Sequence, residues 1–276
     1  MSAEKSQHLT RRSFLKWAFA GSTTAVAAMA YSDYSAYALV VERPELRLPK
    51  WSADGLRVAV LSDVHVNHDN ATRRARESVQ LAIAEKPDIL VVTGDFVNSS
   101  RDHALANIQS AFQDLAGVSF PCVAVMGNHD YWTDQPRKIM DAVRQTPLKL
   151  LINETFEHRG VTIAGFDDAI GGHPGYQAFP EGSVSTNLIA LLHEPDFVSD
   201  MPDHVSLQIS GHSHGGQMCL PFGVILHTPR GAKKYRVGFY GDAMVPLYVT
   251  RGVGTVGPDL RLFSRPEVSL LTLRGA

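Results

Sequence analysis

Cysteine is scarce in this chain, which has two among its 276 residues, Cys122 and Cys219. Two cysteines without a ladder of regular spacings do not make a disulfide framework, so we expect two free thiols. Charge of either sign is also not in excess: the formal net charge is -2, and the Lys and Arg residues are scattered apart from short pairs. We therefore expect no surface dedicated to polyanions and predict no nucleic-acid partner.

A long hydrophobic run is lacking as well. The apolar segment 17–31 is shorter and less hydrophobic than the ~20 residues of a stable membrane span. It follows Arg11 and Arg12, which stand before Ser-Phe-Leu-Lys. This pattern resembles a twin-arginine signal, whose pathway exports folded proteins. We predict a signal peptide at residues 1–38, with the twin-arginine translocase as a partner and the periplasm, cell wall or membrane as the destination.

The end of this leader has two small-x-small candidates for cleavage, Ala36-Tyr37-Ala38 and Ala28-Met29-Ala30. A soluble amphipathic helix and an uncleaved anchor are the alternatives to a cleaved signal. Residues 39–276 contain no internal repeat or low-complexity linker, so they are predicted to form one domain of the size of a catalytic domain.

Short apolar runs and helical patterns alternate in the first half of this domain. In order, they predict a strand at 56–62, a helix at 70–86, a strand at 88–94, a helix at 103–117 and a strand at 121–127. This order predicts parallel pairing with right-handed crossovers. The second half has short strand-like runs, from LKLLIN to MVPLYVT and VSLLTLR, which indicate a second sheet of mixed or antiparallel character. Two sheets packed face to face, with helices outside, would bury both sets of runs and make an α/β fold.

Polar side chains follow the predicted strands, where the carboxyl ends of strands in α/β sheets gather ligands. They are Asp63, His65, Asp95, Asn128, His129, Asp130, His193, His212 and His214. Each alone has an ordinary explanation as a turn residue, a loop carboxylate or a core histidine. Their recurrence after consecutive strands favours one shared site.

The candidate ligands offer oxygen and nitrogen donors and no sulfur. This donor set suits Mn²⁺, Fe²⁺ or Zn²⁺ and does not indicate a thiolate site. Seven of these side chains are candidate ligands, which is too many for one tetrahedral ion: Asp63, His65, Asp95, Asn128, His193, His212 and His214. A pair of divalent ions ~3.5–4 Å apart, bridged by one carboxylate, accommodates all seven and leaves positions for water and substrate. Asp95 is the natural bridge, because it stands between the Asp63-x-His65 pair and Asn128.

The motifs DVH, GD, GNHD, a lone His and GHSH, in this order, resemble the calcineurin-like metallophosphoesterases over about residues 56–214. The leader, the GHSHGGQ form and the tail YVTRGVG…PDLRLFSRPEVSLLTL are also similar to the exported bacterial branch typified by YkuE-like and YaeI-like phosphoesterases. Asn98 departs from the family pattern, in which many members have a second aspartate.

The resemblance implies a four-layer αββα sandwich of two mixed β-sheets flanked by helices. One ion would take Asp63, His65, Asp95 and His214, and the other Asp95, Asn128, His193 and His212. His129 would donate a proton or hydrogen bond to the phosphoryl oxygens or the leaving group, with Asp130 orienting it. A metal-bridging hydroxide would attack phosphorus in line.

The expected substrate is a phosphate ester, with a phosphodiester or pyrophosphate of a cell-envelope or lipid-linked molecule preferred on the basis of the family branch. A UDP-2,3-diacylglucosamine pyrophosphatase-like hydrolase and a non-catalytic metal-binding scaffold are the alternatives. Among other histidines, His68 and His173 are interpreted as loop residues that either touch substrate or face solvent. His227 is interpreted as surface or structural.

Replacement of Arg11 and Arg12 by lysine is expected to trap the protein inside the cell, because the twin-arginine pathway requires the arginine pair. Fractionation followed by immunoblotting measures the effect. Continued export of this variant would count against the pathway.

Overall fold

Two β-sheets packed face to face form the centre of the computed structural model, which describes residues 26, 28–98, 103–175 and 187–276. Three strands of the first sheet, Leu56–Leu61, Ile89–Thr93 and Cys122–Val125, consist mainly of apolar residues that are almost all buried, as expected for strands covered on both faces. The first sheet contains, from edge to edge, β1 (Val40–Glu42), β15 (Glu267–Gly275), β3 (Leu56–Leu61), β4 (Ile89–Thr93), β5 (Cys122–Val125) and β6 (Lys149–Leu150), and β2 (Glu45–Leu48) also pairs with β15. Strands β3 to β6 are parallel, and β15 runs antiparallel to β3.

The second sheet is also mixed. Its strands are, in spatial order, β13 (Gly238–Tyr240), β14 (Leu247–Val249), β10 (Leu207–Ser210), β9 (Leu188–Leu191), β8 (Val161–Gly165) and β7 (Glu154–His158). The four central strands are parallel, and the two edge strands pair antiparallel with their neighbours. A separate hairpin consists of β11 (Cys219–Leu220) and β12 (Val224–Ile225).

Helices connect the parallel strands of the first sheet. They are α1 (Asp69–Ala84), α2 (Ala104–Phe112), α3 (Asn128–Tyr131) and α4 (Pro136–Arg144). Short 3-10 helices lie at Gln113–Gly117, Pro195–Asp200, His214–Gly216 and Pro221–Gly223. Helix α1 begins where Nδ1 of His68 accepts a hydrogen bond from the Ala71 amide at 3.3 Å, which satisfies one free N–H of its first turn.

Three apolar layers hold these elements together. Val91 and Ile163 belong to the layer between the two sheets, and Val79 and Ile108 to the layer between the first sheet and its helices. The third layer covers the outer face of the second sheet and includes Val198 of a 3-10 helix. The predicted fold, two mixed sheets flanked by helices, is confirmed.

Two predicted strands join a different sheet from the one expected. The LKLLIN run forms β6 at the edge of the first sheet, and VSLLTLR forms β15 inside that sheet rather than in the second. Strand β15 has buried residues on both faces, because the sheet interface covers one face and the helical layer covers the other. Order along the chain does not reveal such a long-range return.

The N-terminal helical stretch 28–37 packs against the domain. The Tyr37 hydroxyl donates to Asp259 at 2.7 Å, the Arg74 guanidinium lies over the Tyr37 ring, and Ala36 is fully buried. The rest of the predicted leader, residues 1–25 and residue 27, lies outside the described part of the chain. In that described part, no helix is both long enough and apolar enough to cross a membrane.

These contacts bear on the cleavage site. Cleavage after Ala38 would remove the buried Ala36 and the Tyr37 contacts, whereas cleavage after Ala30, or no cleavage, would keep them. If the leader is cleaved on export, these contacts favour a mature chain that begins no later than Tyr31, before the predicted boundary after residue 38. Intact mass and N-terminal sequencing measure where the chain begins. A mature chain beginning at Leu39 would contradict this expectation.

Candidate metal centre

The predicted ligands all lie in loops at the carboxyl ends of strands from both sheets. Asp63 and His65 follow β3, Asp95 follows β4, and Asn128 follows β5. From the second sheet, His193 follows β9, and His212 and His214 follow β10. The structure brings all seven residues to one buried region, and each residue is at most 6% exposed.

The first group contains Asp63, His65, Asp95 and His214, whose donor atoms lie within 4.8 Å of one another. Nε2 of His214 is 3.3 Å from Oδ1 of Asp63, and Nε2 of His65 is 3.6 Å from Oδ2 of Asp95. The two Nε2 atoms are 3.2 Å apart. Nitrogen lone pairs and carboxylate oxygens that face one point in this way suit a shared cation. These residues are the set predicted for the first ion.

The second group contains Asp95, His193 and His212, also within 4.8 Å. Nδ1 of His193 donates to the Thr93 carbonyl at 2.6 Å, which leaves its Nε2, 3.3 Å from Oδ2 of Asp95, free to bind a metal. Nε2 of His212 donates to the Arg230 carbonyl at 2.7 Å, which leaves Nδ1 for the metal. Asp95 belongs to both groups, as a bridging carboxylate must.

Asn128 completes the second predicted set. Its side chain is buried beside Asp95, and neither its amide oxygen nor its amide nitrogen has a hydrogen-bond partner. A buried polar group without a partner costs free energy and calls for an explanation. A metal ion bound to the amide oxygen would supply one, so the donor set fits a pair of divalent cations. The assignment of individual ligands stays a prediction.

The electrostatics of the cluster suit metal binding. Burial lowers the pKa of three histidines, of His65 to about 3, of His212 to about 4 and of His214 well below its usual range. They are therefore neutral near pH 7, as metal ligands must be. Burial acts to raise the pKa of Asp95, but His193 and other histidines hold it below its ordinary value.

His193 differs from these histidines. Burial acts to lower its pKa, but Asp95 and Asp63 outweigh this effect and raise the pKa well above the usual value. Two buried carboxylates thus favour a positive charge at this point, and a divalent ion would supply that charge in place of the His193 proton.

The backbone is strained where ligands meet. Five of the predicted ligands adopt positive φ. They are Asp63, His65, Asp95, His212 and His214. This sparsely populated conformation costs a non-glycine residue on the order of 1–3 kcal/mol of free energy. At Gly127 an added Cβ would collide with the Asp95 carboxylate, so only glycine lets the loop after β5 pass the cluster.

A cavity of about 280 Å³ opens above the cluster. The predicted acid His129 lines it, half-buried, with its backbone amide donating to Oδ1 of Asp95 at 2.9 Å and its ring centroid 5.0 Å from that of Trp132. Sequence reasoning missed several further lining residues, which are Trp132, Gln217, Thr228, Pro229 and Val256. His227 is exposed, in line with its interpretation as a surface residue, and it also lines the cavity.

The Asp130 carboxylate holds loops together. It accepts hydrogen bonds of 2.8–3.1 Å from four backbone amides, those of Asp95, Phe96, Val97 and Gly127. These contacts join the loop after β4 to the loop after β5. The observed contacts of Asp130 position these two loops. Its role in orienting the His129 ring stays a prediction.

Arg261 is a second supporting residue that the sequence pattern did not indicate. Its buried guanidinium donates to the carbonyls of His214 and Gly254, at 3.2 and 2.6 Å. It therefore joins the GHSH loop to the chain before β15.

Of the two histidines left open, His68 pairs with Asp259 at 2.9 Å, and the His173 amide donates to Asp167.

A model of the calcineurin-like phosphoesterase family matches residues 56–216, more than half of the chain. The chain belongs to this family. The match spans every strand end that carries a predicted ligand, from Asp63 to His214.

Curated relatives resemble the chain over nearly its whole length. The metallophosphoesterase YkuE of Bacillus subtilis is 31% identical, with 96% of this chain and 98% of the relative covered. Phosphodiesterase YaeI of Escherichia coli is 28% identical, with coverages of 96% and 99%. The UDP-2,3-diacylglucosamine pyrophosphatase LpxG of Chlamydia muridarum is 25% identical, with coverages of 84% and 88%. The predicted resemblance to the YkuE and YaeI branch is confirmed.

Metal analysis tests the centre. We expect about two divalent ions per chain in the wild type and fewer than one in Asp95→Asn, because a bridging carboxylate serves both ions. Saturating Mn²⁺ or Zn²⁺ should raise the wild-type Tm by roughly 5–10 °C at a hundredfold excess over Kd, and this rise should vanish in Asp95→Asn.

The matched control is Asp141→Asn on the exposed side of α4. It should keep both the metal content and the metal-dependent rise in Tm. An Asp95→Asn protein with the same metal content as the control would contradict the two-ion centre.

Proposed function

We propose that this protein is a metal-dependent hydrolase of phosphate esters, with a phosphodiester or a pyrophosphate of a cell-envelope or lipid-linked molecule as substrate. The observation that carries the proposal is the buried cluster in which two donor groups share Asp95 at the floor of an open cavity. Membership of the phosphoesterase family supports it.

Two divalent ions, when bound, supply Lewis-acid activation of water and positive charge for the phosphate oxygens. The protein holds their ligands, which are buried, through the strained loops after β3, β4 and β10. The neutral Asn128 limits the negative charge around an anionic substrate, since an aspartate there would add one more buried carboxylate.

His129 is the group placed to move a proton. Its amide is tied to Asp95, so its ring is held at the cavity wall above the cluster, next to Trp132. From this position the imidazole donates a proton or hydrogen bond to a phosphoryl oxygen or to the leaving oxygen. The exposed Trp132 ring offers an apolar surface to the rest of the substrate.

We further propose that the protein acts outside the cytoplasm, because its leader resembles a twin-arginine signal. A UDP-2,3-diacylglucosamine pyrophosphatase-like activity is the second candidate, and the similarity to LpxG favours it. A non-catalytic metal-binding scaffold is the competing interpretation, to be separated by turnover.

Hydrolysis of bis-p-nitrophenyl phosphate by protein loaded with Mn²⁺, Fe²⁺ or Zn²⁺ is the test. We expect turnover in the wild type, and His129→Asn should lower kcat about 10²–10⁴-fold, the usual contribution of a general acid, while leaving the metal content unchanged.

His158→Asn, at the end of the edge strand β7, is the control and should retain wild-type activity. Fully loaded wild-type protein without turnover would favour the scaffold. An active enzyme unaffected by His129→Asn would remove His129 from the mechanism.

A further inference from the structure

The hairpin of β11 and β12 exposes most of its apolar side chains to solvent, whereas a folded domain usually buries such side chains. A sheet with one solvated face normally turns apolar residues inward and polar residues outward. Here Cys219 and Ile225 face inward against Gly215 and Gly216. The alternate positions point outward and are exposed and apolar: Met218, Leu220, Phe222, Val224 and Leu226. Residues 218–226 contain no charged side chain.

The apolar surface continues beyond the hairpin. Met218 forms a β-bridge with Leu262, and the next residue, Phe263, is exposed and lies 5.7 Å from the ring of Tyr31. We call the five outward hairpin residues together with Tyr31 and Phe263 the hairpin face. Contiguous exposed apolar surface of this kind marks a site of interaction with another molecule or with a membrane.

Two features indicate a lipid bilayer as the occupant. Tyr31 directly follows residues 17–30, a segment of apolar and small residues without any charge. Because Tyr31 belongs to the hairpin face, this face lies next to the part of the sequence that is most compatible with a membrane. Phe222 is fully exposed at the tip, between exposed Pro221 and Gly223. A projecting apolar tip suits insertion of ~5–10 Å at the boundary between headgroups and acyl chains.

Positively charged residues follow the hairpin in the sequence and could contact lipid headgroups. Residues 227–236, which follow the hairpin directly, have four exposed cationic side chains and no acidic one. These are Arg230, Lys233, Lys234 and Arg236. Basic residues next to an inserted apolar surface attract anionic lipids.

The hairpin is also continuous with the metal centre. Gln217, just before it, and His227 and Thr228, just after it, line the cavity above the cluster, and the Arg230 carbonyl accepts the His212 hydrogen bond. A molecule whose phosphate lies in the headgroup layer would thus meet the cavity mouth beside the inserted tip.

We propose, on the basis of the function proposed above, that the hairpin face inserts into a bilayer surface and that the substrate is a phosphate ester of an amphiphile held in that bilayer. The bilayer orients the cavity toward the headgroups, and the cationic segment gathers anionic substrate there.

Site-specific labelling of the full chain tests the insertion. An environment-sensitive fluorophore is attached to Phe222→Cys or, as a control on the distant edge strand β7, to exposed Glu157→Cys; both native cysteines are buried. With vesicles of phosphatidylethanolamine and phosphatidylglycerol, we expect a blue shift and quenching by brominated acyl chains at 222 and neither at 157. Because the readout is local, binding through the leader does not mimic it.

An aqueous spectrum at 222 in vesicle-bound protein would overturn the insertion. So would a blue shift at 222 that appears without vesicles and grows with protein concentration together with a dimer mass in light scattering, since the occupant would then be a second copy.

A matched pair of substrates tests the substrate class. The Leu220→Ser/Phe222→Ser variant should hydrolyse soluble bis-p-nitrophenyl phosphate within twofold of wild type but lose at least tenfold in kcat/KM on hexadecyl p-nitrophenyl phosphate in vesicles. The control Met244→Ser, which also replaces an exposed apolar residue, should lose neither activity. Equal activities of wild type and double variant on the vesicle substrate would overturn the inference, whereas absence of all turnover in the wild type would overturn the proposed function and leave the labelling result to decide the insertion.

Discussion

Two carboxylates, Asp63 and Asp95, lie buried at the meeting point of both sheets, and the rest of the site is arranged around this electrostatic constraint. A buried carboxylate is costly unless a positive charge or hydrogen bonds compensate it. His193 and backbone amides provide part of this compensation. Divalent ions bound to the donor groups around Asp95 would add further positive charge. Metal binding would therefore contribute to folding stability as well as to catalysis.

The supporting residues follow from the same constraint. Ligands from five strand ends converge on one region, and five of the ligands adopt positive φ to do so. Asp130 secures the loops after β4 and β5 by accepting from their amides, and Arg261 secures the GHSH loop through its carbonyls. Both residues bind backbone groups through hydrogen bonds, so neither need touch substrate to matter for the geometry of the centre.

The chain that follows the GHSH loop forms part of the cavity over the centre. This stretch forms one cavity wall with Gln217, projects as the apolar hairpin, and returns to the cavity at His227 and Thr228. The proposed chemistry and the proposed bilayer contact are thus adjacent along the chain. A phosphate delivered at the hairpin would need little diffusion to reach the ions, and proximity of this kind lowers the entropic cost of reaction.

The sequence by itself determined the alternation of strands and helices, the order of the motifs and the candidate ligands, because burial periodicity and donor chemistry are local properties. It could not place β15 in the first sheet, assign His227 to the cavity, or find the contacts of Asp130 and Arg261. Each of these depends on partners far away in the chain, which only the packing of the sheets brings together. The outward alternation of the hairpin was likewise decided by tertiary structure, since an apolar run alone does not tell which of its residues face solvent.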